Sequence, residues 1–518
     1  MRFVPKWFQP SDALFLLLAA GLVAWYVYVS GGGFPLDDSW IHQGYARNLA
    51  LRGEWAFIPG VPSGGSTSPL YTVLLAAGYA LRIDYALWTH ALGVLTLAAA
   101  GMFGARLAAR LSARLLPNTS SYVPLATGLA LVLAWHLVWA AASGMETMLF
   151  STLTLALLLA AVPIIDMPTA EETALAMLRR GLLFGVLTAL AMAARPEGVL
   201  LSGLIGLTVL IIQPRGFFVW AAGAALGFAL CGAPYFVLNF QLTGGLLPNT
   251  AAAKQAAMLP ALQVYTFPER LGNMWFPLIA GGQLMLVPGV VAVLWLALRG
   301  ARQERAWLFY LLPLLWALLL TVLYAARLPA WVQHGRYVMP LLPAMIVVGT
   351  IGTFWLLRRW KHNLWGRLLT RAPALTAILI FVYFALVIGS GAYRSDVAII
   401  NEEHVATALW MRDNLPPDEL LAIHDIGAVG YFAPRPMLDI AGLVSPEVIP
   451  IILDADAMWA LMQQRGARYL MAFVDQIPGD NPNDPRLCPI YRSPGTASPA
   501  AGGPTMVIYA LAWDHICP

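Results

Sequence analysis

The residues best suited to chemistry are two adjacent carboxylates, Asp37 and Asp38, in "GGGFPLDDSWIHQGYARN" (31–48), directly after an apolar run. An acid at such a place can cap a helix, here one from about Ser39 to Leu51 with Ile41, Tyr45 and Leu49 at helical spacing. It can also take a proton from an attacking hydroxyl. One acid suffices for a cap, so the pair points to chemistry as well. Other ionisable groups also stand at the ends of apolar runs: Glu146 in "ASGMETML", Arg195 and Glu197 in "ARPEG", Lys254 after "GGLLPNTAAA", and His334 with Arg336 in "WVQHGRY". Charges at span ends mark anchors or sites. A carboxylate base facing Arg, Lys and His suits glycosyl transfer from a lipid-linked phosphate: the base activates a hydroxyl and the cations stabilise the departing phosphate. Phosphate leaves readily, so the second acid of ordinary glycoside hydrolysis is dispensable, and inverting displacement needs one well-placed base.

Each residue also has a plainer reading. Glu146 can be a loop acid, and "ARPEG" a turn whose Pro starts a helix and whose Arg pairs with its own Glu. His334 and Arg336 can bind anionic headgroups. His42, one turn after Asp38, reads as a packing or hydrogen-bonding residue. Trp139, Trp275 and Tyr324 read as interfacial belts.

The elements that must position these groups are membrane spans. Of the 518 residues 59% are hydrophobic and 11% charged, a membrane composition, and the net charge of +4 gives no sign of a nucleic-acid partner. The run 13–30 has 18 uncharged residues, enough to cross about 30 Å of hydrocarbon, and reads as an uncleaved anchor. Further spans are expected near 86–106, 122–142, 147–163, 181–194, 198–213, 217–240, 282–298, 307–326, 337–357 and 373–391, eleven in all. The run 69–81 has only 13 residues and reads as an interfacial or re-entrant helix. With that reading, one set of alternate loops holds 16 of the 31 Lys and Arg and the opposite short loops hold eight. The positive-inside rule then places the N-terminus in the cytoplasm and Asp37 outside. Counting 69–81 as a span would export the Arg106, Arg110 and Arg114 cluster. All the site candidates above fall on the Asp37 side, so a shared outer cavity is expected.

Beyond residue 391 the balance changes: residues 392–518 carry seven Lys or Arg against fifteen Asp or Glu, while the rest nets +12. The expected organisation is therefore a transmembrane unit, 1–391, and a soluble extracytoplasmic unit, 392–518. "ELLAIHDIGAVGYF", "RPMLDIAGL" and "RGARYLMAFV" read as short strands alternating with helices, hence a small α/β domain. The three cysteines show no metal-ligand spacing, and Cys488 and Cys517 fit either a disulfide or two free thiols.

The motifs together resemble the GT-C superfamily of polyprenyl-phosphate-dependent glycosyltransferases, particularly its bacterial arabinofuranosyltransferase- and mannosyltransferase-like members. The resemblance rests on "PLDDSWIHQGYARNLALRGEWAFIPGVPSGGSTSPLY" as first outer loop, on "SGMET", "RPEG", "LLPNT…K" and "HGRY…P" as later outer loops, and on "DIGAVGYF…LDIAGL" in the outer domain. It implies an α-helical multi-pass GT-C fold with juxtamembrane helices in the first outer loop, in the cytoplasmic (inner) membrane. It implies Asp37 or Asp38 as base, with Asp37 preferred because similar enzymes often use the first acid, and Asp38 orienting the acceptor or assisting a cation. Glu146, with His42 beside the acids, would wall the acceptor site, and Arg195, Lys254, His334 and Arg336 would hold the lipid phosphate. No cofactor is required, although the carboxylates leave room for a divalent cation. The partners would be membrane lipid, a polyprenyl-phosphate sugar and a glycan, lipid or protein acceptor. Ser68 before Pro69 departs from the related HPPL and KPPL forms, and Ile58 and Val61 from "NPGE", which disfavours protein mannosylation or aminoarabinose transfer to lipid A.

A transporter or flippase would place ionisable groups mid-membrane in broken helices, often with inverted repeats. The spans are nearly free of charge and show no repeat. A noncatalytic scaffold would explain neither the acid pair nor the cations facing it.

Overall fold

The structure is a computed structural model that describes residues 9–116, 122–165 and 173–517. Helix α1 (Pro10–Ser30) ends on Gly31, Gly32 and Gly33, all with positive φ. Such backbone costs an L side chain but not glycine, and a methyl at Gly33 would also press on the Asn401 amide. The turn delivers the chain into α2 (Asp37–Arg52), which is followed by a minimal hairpin, β1 (Ala56–Ile58) with β2 (Val61–Pro62), and by α3 (Pro69–Ala80). Pro69 opens α3, where its missing N–H is no loss.

Helix α4 (Tyr85–Leu115) then returns along α1, and Arg106 pairs with Asp12 at 2.7 Å. Because Asp12 and Asp37 flank opposite ends of α1, the start of the arginine cluster lies at the end remote from the acid pair. At 12 residues, α3 is short for a span. Next come α5 (Tyr122–Leu133), α6 (Trp135–Ala142), α7 (Thr147–Ile165), α8 (Ala174–Ala194), α9 (Gly198–Ile212), α10 (Pro214–Thr243) and α11 (Thr250–Ala257). Among the described residues nine helices are long and apolar enough to cross a membrane, the last four being Gly282–Gly300, Arg305–Arg327, Gln333–Arg359 and Leu364–Asn414.

The expected eleven spans differ from this in two places. The span 122–142 is broken by 53° between α5 and α6, and counting it makes ten. The break has anchors: Trp135 Nε1 donates to the Ala280 carbonyl at 2.6 Å, and His136 bonds the Pro277 carbonyl at 2.8 Å. The other candidate, α9, has only 15 residues. Helices α8 and α10 approach through Gly181, Gly185, Gly223 and Gly227, where added methyls would overlap the facing backbone carbonyls. Small residues permit this kind of close packing between membrane helices.

The last helix does not stop at residue 391. It runs from Leu364 to Asn414, with wider π turns at Phe384–Ile388 and Ile400–Val405. Beyond it lie β3 (Leu421–Ile423), β4 (Met437–Asp439), β5 (Tyr469–Ala472), β6 (Leu487–Arg492) and β7 (Val507–Leu511) in one sheet of order β4-β3-β5-β7-β6. The three strands read from the sequence, β3 to β5, are mutually parallel, and β6 and β7 add an antiparallel edge. A Cys488–Cys517 disulfide ties the C-terminal segment to β6. One hydrophobic core joins Phe34, Trp40, Tyr45 and Phe57 of the first loop to Ile423, Val429, Met437 and Ile508 of the C-terminal region.

Candidate active site

Asp37 and Asp38 are the first two residues of α2, and neither caps it; Leu36 holds the cap position without a side-chain bond. Successive helical residues diverge by about 100°, so the two carboxylates meet different partners. Asp37 accepts the backbone N–H groups of Gly427 at 2.6 Å and Ala428 at 2.8 Å, the first two residues of a short helix (Gly427–Phe432) after β3. Burial, with the nearby Asp425 charge, pushes its carboxyl up to about 6, against the pull of His404 and the two amides. Asp38 accepts from Arg336 Nη2 and lies 3.7 Å from Lys254 Nζ. Burial alone would raise Asp38, but these two cations hold it well below the ordinary carboxylate range. The two neighbouring acids are thus shifted in opposite directions, Asp37 upward and Asp38 downward.

A cavity of about 400 Å³ opens beside Arg336, with walls that include Leu200, Leu247, Leu323 and Leu328. Arg195, Lys254 and Arg336 gather there around Tyr337, at 5.3, 5.8 and 5.0 Å from its ring centroid. The Tyr337 hydroxyl accepts from Arg336 at 3.1 Å and Lys254 at 3.4 Å. Arg195 donates to Tyr324 at 2.7 Å and stands 3.9 Å from Glu146 and 3.6 Å from Glu197. Although Arg336 is only 5% exposed, its Nε and Nη1 have no hydrogen-bond partner among the described residues. Buried guanidinium donors without a partner are costly and suit an anion with several oxygens.

A second cavity, about 270 Å³, lies on the other side of Asp38. Asp37, Asp38, Asp396, His404, Asp425 and Phe473 are among the residues that line it. Asp396 accepts from Trp139 Nε1 and pairs with His334 Nε2, each at 2.8 Å. Asp425 bonds His404 at 3.3 Å, His424 at 3.0 Å and Gln476 at 2.8 Å. The stretch Gln333, His334, Gly335 has three consecutive positive φ angles, of which two belong to residues that rarely adopt them. Strain of about 1–3 kcal/mol per residue persists only where surroundings enforce it. Here the turn directs His334 to Asp396 and Arg336 to Asp38.

The structure brings Asp37, Asp38, Arg195, Lys254 and Arg336 together. His334 is the exception among the expected phosphate ligands: it stands with Asp396, apart from the basic cluster. Glu146 lines the apolar cavity beside Arg195. Its carboxyl is pulled down to about 2, since the His42 hydrogen bond and the Arg195 charge outweigh burial. His42 is buried between Glu146 at 3.4 Å and Thr72 at 3.3 Å. Trp139 and Tyr324, read as belt residues, are instead buried against Asp396 and Arg195. Among the described residues no group of three or more His, Cys, Asp or Glu could hold a metal ion.

Sequence reasoning missed Tyr324, Tyr337, Asp396, His404 and Asp425. For Asp425 a signal existed: it follows the C-terminal end of a strand that reads as parallel, where open α/β sheets place their functional groups.

No characterised protein sequence matches the chain. Residues 394–509 match a family described as "Domain of unknown function (DUF8728)". Solved structures are similar over nearly the whole chain. ArnT from Cupriavidus metallidurans bound to undecaprenyl phosphate is 15% identical, with a TM-score of 0.60 over 98% of this chain and 99% of that one. The Archaeoglobus fulgidus oligosaccharyltransferase AglB, in complex with an inhibitory peptide and a dolichol-phosphate, is 10% identical, with a TM-score of 0.56 over 98% of this chain and 74% of that one. The same archaeal enzyme tethered to an acceptor peptide gives 12% and 0.54. These similarities are similarities of fold.

Proposed function

The chain has the GT-C fold, and from that premise we propose that it is an inverting glycosyltransferase. It moves a sugar from a polyprenyl-phosphate donor to an acceptor hydroxyl on the outer face of the cytoplasmic membrane. Residues 1–391 hold the donor, and residues 392–518 stand outside the membrane. The observation that carries this reading is a pair of unlike cavities, one apolar with cations in its wall and the other lined by acids, linked by Asp38, which lines the acidic one and pairs with Arg336 and Lys254 of the apolar one. The apolar cavity suits a lipid tail, with its phosphate at Arg195, Lys254, Arg336 and Tyr337. The ArnT and AglB structures, which hold undecaprenyl phosphate and dolichol-phosphate, support that class of donor.

In the proposed reaction the acceptor oxygen attacks the anomeric carbon from the acidic side, and its proton passes to the Asp37 carboxylate. The bond between anomeric carbon and phosphate oxygen breaks, its electron pair stays on that oxygen, and the cations stabilise the resulting polyprenyl phosphate. Asp38 takes no proton; it fixes Arg336 and Lys254. A divalent cation is not needed for this charge balance.

Incubating the purified protein with a panel of polyprenyl-phosphate sugars and measuring release of the lipid phosphate tests the reading. Asp37→Asn should slow release between about a hundredfold and ten-thousandfold, the range for a general base. Full activity in that variant would remove the base assignment. Release from no donor, with lipid translocation in its place, would favour a transporter.

A further inference from the structure

The acidic cavity is built by two parts of the chain far apart in sequence. From the membrane side come Asp37, Asp38 and Asp396; from the unit after the last span come Asp425 and Phe473. Among the described residues four carboxylates line it, and His404 is the one basic side chain in its walls. Lys254 and Arg336 lie behind Asp38, on the apolar side. Asp38 is paired with Arg336 and Lys254, Asp396 with His334, and Asp425 with His404 and His424, so among the described residues an acceptor bearing phosphate or carboxylate would meet no cation in these walls that is not already spent on an acid.

The hydrogen-bonding capacity left over is mainly that of carboxylate oxygens, beside the His404 Nδ1, which has no partner among the described residues, and the Gln333 side-chain amide. Asp396 uses Oδ2 for both Trp139 and His334, and Asp38 uses Oδ2 for both cations. The Oδ1 atoms of both have no hydrogen bond among the described residues. Free carboxylate oxygens accept from O–H or N–H donors. Phe473 packs edge-on against His404 and is half-buried, so one side of its ring remains for the apolar C–H face of a ligand. Carboxylate acceptors beside an aromatic ring match a ring compound with hydroxyls on its rim and C–H groups on its face.

Resting on the glycosyl-transfer reading above, we infer that this cavity is the acceptor subsite and that it takes a non-anionic sugar, neutral or amino. This assigns a role to the C-terminal unit, whose short helix after β3 holds Asp37 and whose Asp425 and Phe473 close the far wall.

Saturation-transfer NMR on the full chain in lipid nanodiscs, free of sugar-based detergent, tests this. The probes are methyl pyranosides and furanosides of the common neutral sugars, the glucosamine and galactosamine glycosides, and the corresponding uronides. Undecaprenyl phosphate binding is measured in the same samples. At least one neutral or amino glycoside should bind, with the uronides weaker. Asp396→Asn and Phe473→Leu, which preserve volume, should each weaken that glycoside roughly tenfold or more, as for a lost contact to a charged group or ring, and leave undecaprenyl phosphate binding unchanged. Binding of no neutral or amino glycoside, or of uronides equally well, overturns the acceptor inference while the donor reading stands. Glycoside binding insensitive to both variants places the sugar elsewhere and also overturns it. Failure of undecaprenyl phosphate to bind sinks the donor reading instead.

Discussion

Two neighbouring aspartates acquire opposite characters because a helix turns between them. Asp37 is half-buried near Asp425 and held by amides; Asp38 is half-buried against two cations. The Asp37 carboxyl at about 6 accepts a proton only when ionised, so transfer should fail as pH falls through that value and recover above it. Asp425 is a like charge that raises Asp37. His404 is the larger charge acting on Asp37 and lowers it, so His404→Gln should move the acidic limb of the pH–rate profile to higher pH, and an unmoved limb would mean that another group limits the rate. At the same scale, Lys254→Met removes a cation that touches Asp38 and Tyr337. Undecaprenyl phosphate binding should weaken about tenfold or more, as for loss of a charge-assisted contact, and intact binding would assign Lys254 to structure alone.

Among the elements, the short helix Gly427–Phe432 leaves no room for a side chain at two of its glycines. A methyl at Gly427 would overlap the Asp37 carbonyl oxygen, and one at Gly430 would enter the Phe57 ring. Gly427→Ala should thus push the start of this helix off Asp37 and cost most of the transfer rate. A fully active Gly427→Ala variant would show that the two amides do not position the base. The membrane helices pose a different problem of legibility. Their lengths and apolar runs are readable because lipid forces every backbone group into helix. The break at Ala134 is not readable, because its causes are partners at Pro277 and Ala280, more than a hundred residues away. Nor is the continuation of the last helix to Asn414, since its charged surface past residue 391 looks like a departure from the membrane and hides an unbroken hydrogen-bond ladder.

For the whole molecule, the first outer loop and the C-terminal sheet share a core, so the boundary drawn from charge does not separate two cores. A periplasmic-type reporter fused after Arg394 should be active only outside the cytoplasm if the proposed orientation holds; a cytoplasmic signal would invert it. Sequence alone determined the membrane class, the small sheet of the C-terminal unit and the acid pair as the centre of interest. Those follow from local composition, periodicity and charge, which depend on neighbours along the chain. Sequence also grouped Arg195, Lys254 and Arg336 by side, since span counting fixes which loops emerge together. Only the tertiary structure decided that His334 belongs to Asp396, that Glu146 backs Arg195, and that Asp37 is gripped by residues almost four hundred positions on. These are through-space pairings in a low-dielectric interior, and no spacing along the chain encodes which loop ends will meet.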